Sequence, residues 1–211
     1  MAWQKHEIPV RAPPFLPNGV MALAWIAHRN SRSDVALAIM IMFHAFLRPV
    51  ETVNLRAKDC VVSKNKTEIV LNLGQSKTGS RDGFVETTIL DDPMTVMLLR
   101  AWLSVALPGD PLLPKGSLEF RAVFARLVSA LKLPPGYKPY SLRRGGATYF
   151  FRRTGNLSLT CSRGRWSSEK TARIYVNEAL AHLSEVNLPP QVLLAINSHA
   201  QKFAELVHFE A

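Results

Sequence analysis

Apolar residues recur along this chain with two different periods, and the change of period divides it. The first stretch is helical: Asn18 is a candidate N-cap for a helix over Gly19 to Arg29, and Ser33 for a second from Asp34 to about Leu47. The second helix, VALAIMIMFHAFL, is apolar nearly all round, which predicts a helix at the centre of the core. His44 within it reads as a satisfied core histidine. Pro49 disfavours helical geometry at Arg48 but suits the first position of a new helix, so Arg48 falls at a junction between two helices. Over residues 59 to 90 the pattern changes. Cys60 to Val62, Thr67 to Leu73 and Gly83 to Leu90 are β-rich and bounded by turn residues, which predicts a small antiparallel sheet.

The helical period then returns. Asp92-Pro93 opens a helix to about Leu107, stopped by Pro108-Gly109-Asp110-Pro111. Ser117 begins another, whose Phe120, Val123, Phe124, Leu127, Val128 and Leu131 share one face for core packing. Residues 132 to 139 form a linker to a helix with Ser141 as its expected N-cap. After Pro189-Pro190 a last helix runs to about Phe209, with a narrow stripe of Leu193, Ile196, Ala200, Phe203 and Val207 that suits either a neighbouring protomer or its own domain. The whole reads as a mainly α fold with a small antiparallel β-sheet. Residues 1–18, with four prolines, are an irregular lead-in; 19–180 form one domain; 181–211 form a tail.

Composition narrows the partner. With 211 residues, 47% of them hydrophobic, the chain is long enough for one well-buried domain. A net charge of +10 favours nucleic acid, with an anionic membrane surface second. Most of it is concentrated between Tyr140 and Tyr175, where Arg143, Arg144, Arg152, Arg153, Arg163, Arg165, Lys170 and Arg173 face a single acid, Glu169. The free N–H groups at the helix start near Ser141, with Arg143 in its first turn, offer a seat for an anion. The longest apolar run, Val35 to Ala45, is too short to cross a bilayer, and the N-terminus lacks a signal-peptide core. Cys60 and Cys161 have no CxxC partner and the histidines show no ligand spacing, so no structural metal is expected and a reducing, intracellular setting is.

Three ordered motifs lie in the basic stretch: Leu142-Arg143-Arg144-Gly145-Gly146-Ala147-Thr148, then Gly164-Arg165-Trp166-Ser167-Ser168, then Tyr175 nine residues after Trp166. They resemble the C-terminal active-site half of tyrosine recombinases, the phage-integrase family, and in the double Gly and GRWSS forms its members from eukaryotic mobile elements. Upstream, Arg48-Pro-Val-Glu51-Thr-Val-Asn-Leu55 is similar to the family's first arginine motif, although alone it also describes an ordinary Arg–Glu pair at helical spacing. Ser76-Lys77-Thr78-Gly79 matches the surroundings of the family's hairpin lysine, with Arg81 a second cation in the same loop.

The resemblance implies a catalytic domain over 19–180 acting on duplex DNA, as a homo-oligomer on its site, with no cofactor and no metal. Tyr175 is the implied nucleophile, Arg48 and Arg143 the phosphate clamps, Lys77 the general acid and Trp166 a phosphate donor or a support for the nucleophile. Glu51 supports Arg48. Arg144, Arg152, Arg153, Arg163, Arg165, Lys170 and Arg173 are implied DNA contacts. Tyr140 stands where many members place a His. The separate DNA-clamping domain of full-length members is not expected in this length. The implied activity is site-specific recombination or integration, in the nucleus of a eukaryote or otherwise in the cytoplasm or nucleoid. A DNA-binding remnant that no longer cuts and a type IB topoisomerase are the alternatives.

Overall fold

A computed structural model describes residues 12–74, 85–176 and 187–209. Helix α1 (Pro17–Arg29) packs on α2 (Ser33–His44), in which every residue from Val35 to Phe43 is buried, as the unbroken apolar run predicts. Arg32 pins the start of α2, donating from Nε to Asp34 at 2.9 Å and from Nη1 to Glu119 at 2.7 Å. Two expected caps differ. The α1 cap position is Leu16, and Asn18 instead donates to Asn197 at 2.9 Å; Arg32 rather than Ser33 precedes α2.

Helix α2 also ends three residues earlier than expected, because Phe46 takes a left-handed backbone with φ 52°. Extended Arg48 then leads into α3 (Pro49–Asn54), with proline at its first position as its fixed φ favours.

The sheet is antiparallel in the order β1-β2-β3, over Cys60–Val62, Ile69–Asn72 and Thr87–Leu90. Ile69, Leu71 and Leu90 point into the core while Val61, Val70 and Ile89 face out, the alternation a half-buried sheet requires. Beyond the strand proper, Leu73 N donates to Glu86 O at 2.8 Å and Glu86 N to Gly74 O at 3.0 Å, so the β2-β3 ladder continues to Glu86. Lys77 and Arg81 lie outside the described residues.

Helix α4 (Pro93–Leu103) starts as expected, with the Asp92 carboxylate accepting from Thr95 N at 2.9 Å, and stops four residues short of Leu107. Helix α5 (Gly116–Ala130) buries Phe120, Val123, Phe124 and Leu127. Helix α6 (Pro139–Thr154) begins two residues before the expected Ser141 cap: Pro139 takes the first position, and Ser141 sits inside the turn, accepting from Lys138 N at 3.1 Å. Short α7 (Leu157–Arg163) and α8 (Glu169–Tyr175) follow, capped by Asn156 and Ser168. Helix α9 (Pro190–Phe209) lies along α1 and buries Val192, Ile196, Ala200, Phe203 and Val207, so the apolar stripe folds back on its own domain; Leu193 is only partly buried.

The double glycine in α6 is a packing device. Glycine inside a helix costs about 1 kcal/mol relative to alanine, so two in succession call for a compensating contact. A Cβ at Gly145 would drive into the backbone of Phe15, and one at Gly146 into the carbonyl of Phe43 at the end of α2. Gly146→Ala is therefore expected to destabilise the fold by about 1–3 kcal/mol, the usual range for overpacking. Thermal unfolding reads this as a fall of several degrees; an unchanged midpoint would remove the close approach as the reason for the glycine.

Candidate active site

Four elements meet where α6 passes the end of α2. Arg143, in the second turn of α6, is 0% exposed. Its Nη1 donates to the Phe46 carbonyl, presented by the left-handed turn after α2, and its Nη2 to the Gly164 carbonyl at 2.7 Å. The fork of the guanidinium thus joins the end of α2 to the end of α7, a geometry lysine does not reproduce. Gly164 has its own necessity, since a Cβ there would enter the Trp166 ring.

Three guanidiniums and two carboxylates surround this point. Glu51 is the hub: it accepts from Arg48 N at 2.6 Å, Arg48 Nη1 at 2.5 Å and Arg165 Nη2 at 2.7 Å, and stands 3.9 Å from Arg143 Nη1. Glu86 lies 3.6 Å from Arg48 Nη1 and 3.4 Å from Arg165 Nε. Arg165 is turned inward by a left-handed backbone, φ 56°, which is uncommon for a residue with a side chain.

The electrostatics of the cluster favour an anion. Burial, then the charges of Arg165 and Arg48, push the Arg143 guanidinium down to about 10, so it remains cationic at neutral pH in an unfavourable field. Arg165 is lowered chiefly by burial, with Arg48 adding to the effect and Glu51 and Glu86 opposing it. For Arg48 burial also lowers the value, but Glu51 and Glu86 outweigh it and the net shift is upward. Arg143 Nε, Arg165 Nε and Nη1 and Trp166 Nε1 are buried with no hydrogen-bond partner among the described residues. Such donors are costly to bury unpaired and are suited to phosphate oxygens.

Tyr175 closes the site at the end of α8. Its ring stacks on Trp166 with centroids 4.5 Å apart at 25°, and the Arg143 guanidinium lies 5.6 Å from the ring centroid. Helix α6 holds the backbone here: Thr148 Oγ1 donates to Tyr175 O at 3.2 Å and Arg144 Nη2 to Ile174 O at 3.3 Å. The Tyr175 hydroxyl sits 2.5 Å from that of Tyr140. Burial and the bond to Tyr175 push the Tyr140 phenol up to about 12, against the opposing pull of Arg143 and Arg48. A phenol raised this far is a poor base near neutrality, and the two hydroxyls share one hydrogen bond in which either can donate.

No family model matches this sequence, and no curated protein matches it. Solved structures do. XerA recombinase superimposes with a TM-score of 0.61 at 16% identity, over 85% of this chain and 67% of that one. XerH site-specific recombinase, bound to palindromic difH substrate in a post-cleavage complex, gives 0.63 at 16% identity, over 85% and 53%. Tn1549 transposon integrase in complex with a circular intermediate DNA gives 0.60 at 15% identity, over 87% and 68%. The fold is that of a tyrosine recombinase catalytic domain. The chain spans between 53% and 68% of the length of these three structures.

On this recombinase fold the sequence-derived site residues part into groups. Arg48, Glu51, Tyr140, Arg143, Trp166 and Tyr175 come together as described, while Lys77 lies outside the described residues. Of the expected DNA contacts, Arg152, Arg153, Lys170 and Arg173 are exposed. Arg163 and Arg144, two more of the expected DNA contacts, are engaged within the protein. Arg163 is clamped to the Asp91 carboxylate and to the carbonyls of His44 and Ile89, with its guanidinium 4.7 Å from the Phe150 ring centroid. Arg144 is buried against the end of α8. Arg165 belongs to the cationic cluster itself. His44 is partly buried, edge-on to Phe43 and 3.6 Å from Asp92. Sequence reasoning missed Glu86 and the structural carbonyls of Phe46 and Gly164, none of which carries a signal of residue type.

Proposed function

We propose that this chain breaks and rejoins duplex DNA by transesterification at Tyr175, in site-specific recombination or integration of a mobile element, as a homo-oligomer on its site. The observation that carries the reading is the Tyr175 phenol, stacked on Trp166 and set beside the cationic cluster of buried Arg143 with Arg165 and the part-exposed Arg48. In the forward step Tyr175 Oη forms a bond to phosphorus and the bond from phosphorus to the 5′ oxygen breaks. This leaves a 3′-phosphotyrosine and a 5′-hydroxyl. Attack by a 5′-hydroxyl on the phosphotyrosine reverses it, so the energy of the broken linkage is conserved and no nucleotide is consumed.

The phenol ordinarily ionises near about 10, and its attack near neutrality needs the charge on its oxygen stabilised. Once the Tyr175 oxygen gives up its proton it can only accept, so the Tyr140 hydroxyl 2.5 Å away then donates to it and, with the neighbouring guanidiniums, supplies this. Arg48 and Arg143, with Arg165, grip the non-bridging oxygens as charge grows on them. Trp166 backs the ring and offers its indole N–H. Lys77 protonates the leaving 5′ oxygen, as the family resemblance implies.

The test is a pool of nicked duplexes of randomised sequence, built so that cleavage beside the nick releases a short fragment and strands the enzyme on DNA. A protein–DNA adduct that maps to Tyr175 is expected. Binding without any adduct would leave the non-cutting DNA binder, a reading favoured by one observation: at about 12 the Tyr140 phenol exchanges no protons near neutrality, where a His would. The two readings differ at this residue. In an active site Tyr140→Phe removes one hydrogen bond, about 1 kcal/mol or about fivefold in single-turnover cleavage. In a decayed one the natural protein is nearly inert and Tyr140→His restores tenfold or more, a threshold set below the about 10²–10⁴ that a well-positioned acid or base gives.

A further inference from the structure

Glu86 belongs to no motif and reaches the site from the loop end of the β2-β3 pair, just before Thr87. Its setting differs from that of Glu51. Glu51 is 10% exposed and accepts hydrogen bonds of 2.5 to 2.7 Å from Arg48 and Arg165. Glu86 is 24% exposed, with its Oε2 at 3.6 Å from Arg48 Nη1 and 3.4 Å from Arg165 Nε, and Arg165 Nε has no hydrogen-bond partner among the described residues. Glu51 is fastened to the cluster, whereas the Glu86 carboxylate, among the described residues, is held there by charge and has a side open to solvent.

The space between Arg48 and Arg165 is where a phosphate gripped by both must lie. A carboxylate at that point repels a second anion and stabilises the two cations while none is present. With Glu51 and Glu86 counted against Arg48, Arg143 and Arg165, the cluster carries one net positive charge, which one phosphodiester neutralises. We propose that Glu86 is a positioning residue that holds the place of the phosphate: it keeps Arg48 and Arg165 aligned in the free protein and is displaced toward solvent when the phosphate arrives. This rests on the reading of Arg48 and Arg165 as the phosphate grip.

The sign of one measurement separates this role from a structural salt bridge. Inorganic phosphate is titrated into the protein at constant ionic strength and its affinity read from the rise in thermal midpoint. Glu86→Gln is expected to bind phosphate about fivefold more tightly than the natural protein, since a like charge at such a distance in a wet site is worth about 1 kcal/mol. Glu68→Gln, which makes the same change of net charge at an exposed position outside the cluster, is expected to leave the affinity within twofold. Adding Arg48→Ala to Glu86→Gln should remove the gain and so place the anion in the grip.

An equal gain in both glutamine variants overturns the proposal in favour of bulk charge, and a loss or no change in Glu86→Gln overturns it in favour of a structural bridge. If Glu86→Gln does not fold, Glu86→Asp retracts the carboxylate while keeping the ladder and the charge. A gain there supports the proposal and its absence overturns it. Phosphate that stabilises none of the forms overturns the grip itself. The covalent adduct on nicked DNA is independent of all these outcomes, so failure at Glu86 and failure of the Tyr175 chemistry are read apart.

Discussion

Tyr175→Phe is expected to abolish the covalent protein–DNA adduct on nicked duplex while DNA affinity changes by less than about 1 kcal/mol. Phenylalanine keeps the ring that stacks on Trp166 and faces Arg143, so the end of α8 stays in place. Only the oxygen proposed to attack phosphorus is lost, together with its bond to Tyr140. Because the two hydroxyls are 2.5 Å apart, Tyr140 is the one other phenol at this point among the described residues, and the same experiment on Tyr140→Phe completes the assignment. An adduct that survives Tyr175→Phe and disappears in Tyr140→Phe transfers the role of nucleophile to Tyr140. One that survives both removes tyrosine chemistry from this site altogether.

What the sequence revealed and what it hid follow from how local each cause is. Helix α2 was legible because burial on all sides leaves an unbroken apolar run, and the Arg48 junction because Pro49 acts on its immediate neighbours. The cap of α6 falls at Lys138, three residues before Ser141: Ser141 has the chemistry of a cap, yet Pro139 just before it fixes the first turn. Arg163 has the composition of a DNA contact, but its partner Asp91 is 72 residues away, a distance at which pattern carries no information. Arg165 reads in the sequence as one more DNA contact, because nothing in a one-letter code shows that a left-handed backbone aims it into the cluster. Glu86 gave no signal, being a single acid near a strand end whose meaning lies in the two cations the fold brings to it.

Arg143 carries the second large effect, and its burial explains why fold and chemistry meet there. Removing one preorganised donor from a charge-stabilising site costs on the order of 10²–10³ in rate, and Arg143→Ala should lose at least that in single-turnover cleavage. It should also destabilise the domain, because the carbonyls of Phe46 and Gly164 lose the guanidinium that bridges them in the interior. A loss of activity in Arg143→Ala alone is therefore ambiguous between a missing catalytic charge and a displaced Trp166 and Tyr175. Arg143→Lys separates them. It keeps a cation but has no fork to span both carbonyls, so cleavage should still fall about 10²-fold while the thermal midpoint falls less than in the alanine variant. If Arg143→Lys cleaves within tenfold of the natural protein, a point charge suffices and the fork is structural. If Arg143→Ala remains both folded and within tenfold of natural cleavage, the buried guanidinium has no part in the reaction.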